Sequence, residues 1–167
     1  MPKIAKKPNY MRGALFALGG PVAGIAVWVA LWEMGFIASI ATFLMAWLTI
    51  WLYRKGAGTI DRRSLYVILP YIFVGIALSI LAGMIDDSLH YVTDEVNKMR
   101  HISMLEILFK SAFWSFTFDN LLHNGELWAG YTKDILISLG LGALGAYSTV
   151  RDVLEHGNTS GPGKAKA

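Results

Sequence analysis

The sequence predicts an all-α integral membrane protein with four transmembrane helices, and two observations carry that expectation. Four apolar stretches, residues 13–32, 36–53, 65–85 and 135–150, contain no Asp, Glu, Lys, Arg or His. About 20 apolar residues in a helix cross the roughly 30 Å hydrocarbon core, and a helix pairs every backbone donor and acceptor within itself. The second observation is where the 15 Lys and Arg residues lie. Lys3, Lys6, Lys7 and Arg12 precede the first stretch, Arg54, Lys55, Arg62 and Arg63 fill the second connection, and Arg151, Lys164 and Lys166 follow the last. Only Lys98, Arg100, Lys110 and Lys133 fall in residues 86–134, beside Asp86, Asp87, Asp94, Glu95, Glu106, Asp119 and Glu126. By the positive-inside bias both termini are cytoplasmic and 86–134 is extracytoplasmic.

At 167 residues and 54% hydrophobic, the chain makes one transmembrane domain over 1–154. Its net charge of +3 is scattered over juxtamembrane positions, which excludes a nucleic-acid patch. The absence of cysteine excludes disulfides, thiolate metal sites and thiol nucleophiles. Residues 155–167 are Gly, Ser, Pro, Lys and Ala in large part and are expected to be a disordered cytoplasmic tail. There the Asn158-Thr159-Ser160 glycosylation acceptor would go unused.

The first stretch follows a basic segment, as a secretory signal does. It is too long for a signal h-region and lacks a small-residue cleavage site, so it is expected to remain as a helix. Gly20 and Gly24 form a G-x-x-x-G step preceded by Gly13 and Ala17, and Pro21 removes a backbone donor. Glu33, Met34 and Gly35 alone join the first two spans, which therefore form a hairpin, with Glu33 expected as a hydrated turn residue. The fourth span carries Gly140, Gly142, Ala143, Gly145 and Ala146 as a second smooth face. Such faces either pack within the bundle or dock another subunit. Gly140, Gly142 and Gly145 also spell G-x-G-x-x-G, but a dinucleotide site needs a strand before the glycines and a helix starting at them. Trp28, Trp32, Trp47, Trp51, Tyr53, Tyr66, Trp128, Tyr131 and Tyr147 lie near span ends and read as interfacial anchors.

The 86–134 segment holds the chemistry-bearing residues. Asp86, His90 and Asp94 recur at i, i+4 and i+8, one face of a continued helix, and two carboxylates with an imidazole make a weak metal-site candidate. Residues 102–122 read as an amphipathic interfacial or re-entrant helix. Ser103, Glu106, Lys110, Thr117 and Asn120 form its polar stripe, and Leu105, Leu108, Phe109, Ala112, Phe116 and Leu122 its apolar face. The aromatic residues Phe109, Phe113, Trp114 and Phe116 are its expected partner contacts, and Asn124-Gly125 marks a turn before the last span.

Gly13-Ala14-Leu15, Gly20, Gly24, Trp28 and Gly35-Phe36-Ile37-Ala38, followed by Phe116, Phe118-Asp119, Tyr131 and Asp134, form a recurring pattern of spacings. In it the chain resembles a group of small bacterial membrane proteins with no established activity, over about residues 12 to 154. The resemblance implies a bacterial plasma membrane and four spans. For function, spans free of ionisable groups point away from pumps and proton relays. The leading expectation is a non-catalytic accessory or assembly subunit that contacts lipid and other membrane subunits, or its own copies, with no cofactor and no nucleic acid. A transporter or channel subunit for a neutral or anionic solute, with Pro21 and Pro70 permitting helix movement, is the alternative. An enzyme using Asp86, His90, Asp94 and Asp119 ranks third.

Overall fold

The computed structural model describes residues 8–34, 39–98 and 101–156, and the backbone of 158–160. The Gly35–Ala38 link, Arg100 and the basic residues Lys3, Lys6, Lys7, Lys164 and Lys166 lie outside the described residues. The chain is almost entirely helical: α1 (Tyr10–Ala17), α2 (Gly19–Glu33), α3 (Ile40–Ala57), α4 (Arg62–Asn97), α5 (Met104–Leu108), α6 (Ser111–His123) and α7 (Gly125–His156), with the short strands β1 (Thr59–Asp61) and β2 (Asn158–Ser160). Two helical runs, Tyr10–Glu33 and Arg62–Asn97, are long and apolar enough to cross a membrane.

Local sequence explains the helix boundaries. Asn9 caps α1 by accepting from the Arg12 amide at 3.1 Å. The helix is interrupted at Leu18, three residues before Pro21, because the Pro21 ring leaves the carbonyl four residues back without a donor and crowds it. Gly58 ends α3 at φ 84, a left-handed conformation that suits glycine. A capping box opens α4: Asp61 accepts from the Ser64 amide at 2.9 Å, while Ser64 Oγ accepts from the Asp61 amide at 3.2 Å. Asn124 Oδ1 takes the Glu126 and Leu127 amides at the start of α7.

Helix α3 sits centrally. A side chain at Gly20 would overlap Thr49, and one at Gly24 would lie 2.5 Å from Met45 Cε, so α2 meets α3 along its glycine step. From the other side, a Cβ at Gly145 of α7 would come within 2.9 Å of Ala46 Cβ and of the Phe43 carbonyl oxygen, while Gly142 faces Ile76 of α4. Hydroxyls add direct links: Thr42 Oγ1 donates to the Ser138 carbonyl at 3.0 Å, and Ser138 Oγ to Ser39 Oγ at 3.2 Å. Trp28, Met45, Tyr53, Ile68 and Met84 fill the interior.

Several expectations are corrected. Trp28, Tyr53 and Tyr131 are buried core residues and not interfacial anchors, because the glycines beside them leave space that only large rings fill. Residues 158–160, assigned to a disordered tail, pair antiparallel with β1, Ile60 opposite Thr159. The single helix expected over 102–122 breaks at Phe109–Lys110 into α5 and α6. That corner is closed by Trp114 Nε1 donating to the Leu108 carbonyl at 2.8 Å, so Trp114 braces its own chain. The break also rotates the two halves of the predicted wheel: Thr117, from the polar stripe, is fully buried, while Leu105, Phe109 and Leu122 are exposed and Phe113 is buried.

The glycine contacts predict opposite outcomes at two positions. Gly20→Leu should destabilise the bundle by about 3 kcal/mol, since Thr49 backbone would have to move. Gly140→Ala, with open space around it, should be neutral or stabilise by about 0.5–1 kcal/mol. Thermal unfolding in detergent, followed by circular dichroism, compares them.

Candidate functional site

The helix ends sort into two poles. At one, Tyr10 Oη donates to Asp61 at 2.7 Å, Arg62 Nη2 donates to the Leu154 carbonyl at 3.0 Å, and β1 pairs with β2. This pole gathers Arg12, Arg54, Lys55, Arg62, Arg63 and Arg151. The opposite pole joins the end of α2, the far half of α4 and the start of α7, and it is acidic and aromatic. At 36 residues α4 is about 54 Å long, well beyond a bilayer core, so its last turns project past residue 85 and carry Asp86, Asp87 and His90.

Asp87 is the joint of that pole. Its Oδ1 accepts from Trp32 Nε1 of α2 at 2.9 Å, and its Oδ2 accepts a short hydrogen bond from the Tyr131 hydroxyl of α7. The two donors stack, Trp32 on Tyr131 at 5.5 Å between ring centroids, and Trp28 extends the stack on Trp32 at 6.5 Å. Burial, and then the bond to Asp87, push the Tyr131 hydroxyl well above its ordinary value, so it stays a donor. One carboxylate thus fastens three helices.

One turn away, His90 lies between two carboxylates. Its Nε2 is 3.7 Å from Glu33 Oε1, and its Nδ1 is 3.7 Å from Asp86 Oδ2 and 3.1 Å from the Asp86 carbonyl oxygen. A carbonyl only accepts, so Nδ1 carries the hydrogen of that bond. The bond to Asp86, followed by the nearby Asp86 and Glu33 charges, raises the His90 pKa against its partial burial. Burial and the Glu33 charge raise that of Asp86.

One donor atom from each of Glu33, Asp86 and His90 lies within 4.8 Å of the others, close enough to surround a divalent ion. The two ring nitrogens, however, face different carboxylates, which is the arrangement of an imidazolium held between two anions. Asp94, the third member of the sequence-derived triad, is exposed and stands apart from this group. Glu33 takes its place. It was legible only as a carboxylate closing the first span at the same depth at which Asp86 closes the third.

Of the partner-contact candidates, Gly20, Gly24, Gly142 and Gly145 meet helices of this chain, and Phe113 is buried against Leu89 and Ile107. Phe109 and Phe116 remain exposed, with Phe116 stacked on Tyr91 at 6.3 Å. No protein-family model, curated protein or solved structure matches the chain.

The raised His90 value fixes a pH dependence. The folded protein holds the His90 proton more tightly than the unfolded chain, so its stabilisation is complete below the ordinary value of 6.5 and is lost as pH rises through the folded value. His90 is partly exposed, so solvent screening holds the contribution under about 1 kcal/mol. Unfolding midpoints between pH 6 and 9 should fall more steeply for the native chain than for His90→Gln or Glu33→Gln; parallel curves would remove the ion-pair assignment.

Proposed function

We propose that this is a four-span plasma-membrane protein of a bacterium, with both termini cytoplasmic, acting without catalysis as an accessory or assembly subunit by lateral contact with other membrane proteins. Several features support the topology. The basic pole collects the ends of α1, α3, α4 and α7, and the acidic pole the opposite ends, which matches the positive-inside bias over four crossings by α1–α2, α3, α4 and α7.

The observation that carries the contact reading is the surface of α5 and α6. Leu105, Phe109, Phe118 and Leu122 are more than half exposed there, while Trp114, Phe113 and Ile107 hold the two helices rigidly in place. A braced helix pair displaying large apolar side chains beyond the predicted spans suits docking against a neighbour. The filled interior, with Trp28, Met45 and Met84 fully buried, disfavours the channel alternative, and the acidic pole disfavours an anionic solute.

Two measurements test this. Cysteines introduced singly at Lys7, Ala57 and Asn158 should resist an impermeant thiol reagent in intact cells, and one at Asn97 should react; labelling at Asn158 would leave an odd number of spans. A photo-reactive residue at Phe109 or Phe118, irradiated in native membranes, should yield one discrete protein adduct. Adducts to lipid alone would end the subunit reading.

A further inference from the structure

Two clefts lie one above the other on a single face of α4. The lower, about 230 Å³, is walled by Phe73, Ala77 and Ile80 of α4 with Trp128, Ile135 and Leu139 of α7. Its lining is almost wholly apolar. The upper, about 420 Å³, is lined by Asp87, Ser88 and Tyr91 of α4 with Phe116, Asn120 and Asn124. Phe73, Ala77, Ile80, Asp87 and Tyr91 follow helical spacing, with the buried Met84 between Ile80 and Asp87, so one face of α4 changes along its length from hydrocarbon to carboxylate. Seven residues separate Ile80 from Asp87, a rise of about 10 Å.

The geometry points to a bound membrane lipid carrying a primary ammonium headgroup, its acyl chain in the α4–α7 groove and its ammonium against Asp87. This rests on the membrane-spanning reading above. The groove is lined by the exposed apolar residues Phe73 and Leu139 of helices that the reading places in the bilayer, so lipid is the occupant at hand. The headgroup follows from charge: the upper cleft has one carboxylate and no Lys or Arg among its described lining residues, with Glu33, Asp86 and His90 one turn away. An anionic headgroup would meet like charge there.

Asp87 is positioned for the task. Trp32 and Tyr131 each occupy one lone pair of a different oxygen, which fixes the carboxylate plane and leaves further acceptor capacity on both atoms. Asn120 Oδ1 accepts from Asn124 Nδ2 at 3.1 Å and keeps a second lone pair, and the stacked Tyr91 and Phe116 rings give a surface for the ethylene of the headgroup. Hydrogen-bond acceptors of this kind favour an ammonium with N–H bonds over a trimethylated one.

Native mass spectrometry of the full-length protein in detergent, titrated with phosphatidylethanolamine, phosphatidylcholine and phosphatidylglycerol of identical acyl chains, tests the site. Phosphatidylethanolamine should be retained about fivefold over phosphatidylglycerol, the scale of one partly exposed ion pair. Asp87→Asn should remove that preference, Ala77→Trp should lower retention of all three lipids, and Asn120→Lys should turn the preference towards phosphatidylglycerol. Equal retention of the three lipids by the native chain overturns the proposal, as does an unchanged preference in Asn120→Lys, which also serves if Asp87→Asn does not fold. Preferred retention of phosphatidylcholine overturns the primary-ammonium assignment. Alkaline carbonate extraction separates the two readings: release of the protein from membranes defeats the spanning assignment, whereas firm retention without lipid preference defeats only the site.

Discussion

The close approach of neighbouring helices to α3 governs the rest of this fold. The dispersion contacts and hydrogen bonds that hold these helices together depend steeply on distance. Each neighbour reaches α3 through a residue with little or no side chain: α1 through Gly13 against Ala57 and Tyr53, α2 through Gly20 and Gly24, and α7 through Gly145. With the backbones this near, Thr42 and Ser138 come within bonding reach across α3 and α7. The large rings of Tyr53 and Trp28 are buried against glycines of facing helices, Gly13 of α1 and Gly83 of α4.

The acidic pole is the consequence one level up. Because α2 is held against α3 and α4, Trp32 and Glu33 arrive at the height where α4 leaves its apolar run, and Tyr131 arrives there from α7. Asp87 then has two donors from helices distant in sequence, and His90 has Glu33 of α2 on one side and Asp86 of its own helix on the other. The same convergence leaves α5 and α6 outside, packed on α4 through Phe113 and Ile107, with most of their apolar surface unused.

Helix positions were legible because a long apolar run without charge admits few other structures. The glycine step was legible for a similar reason, since small residues at i and i+4 share a face. What a residue faces was harder to read. Trp and Tyr suit both an interface and a cavity between helices, so Trp28, Tyr53 and Tyr131 carried no sign of being internal. The corner at Phe109–Lys110 contains neither Pro nor Gly, and it is closed by a side-chain bond from Trp114 to the Leu108 carbonyl that no sequence pattern announces. Glu33 and His90 meet across two helices, which the local periodicity that linked Asp86, His90 and Asp94 does not encode.

The clasp between β1 and β2 bears on how the chain reaches this state. A hydrogen bond between Arg62 and Leu154 spans 92 positions, and the paired strands beside it close a loop of similar size. Such long closures are slow relative to local helix formation. Synthesis proceeds from the N-terminus, so β1 waits, with its edge unpaired, until α7 has been made and has returned to the same pole. The clasp therefore forms last, once α7 has packed back beside the start of α4. Until α7 has packed back, the edge of β1 stays unpaired, so the pairing of β1 with β2 marks a chain whose helices have all come together.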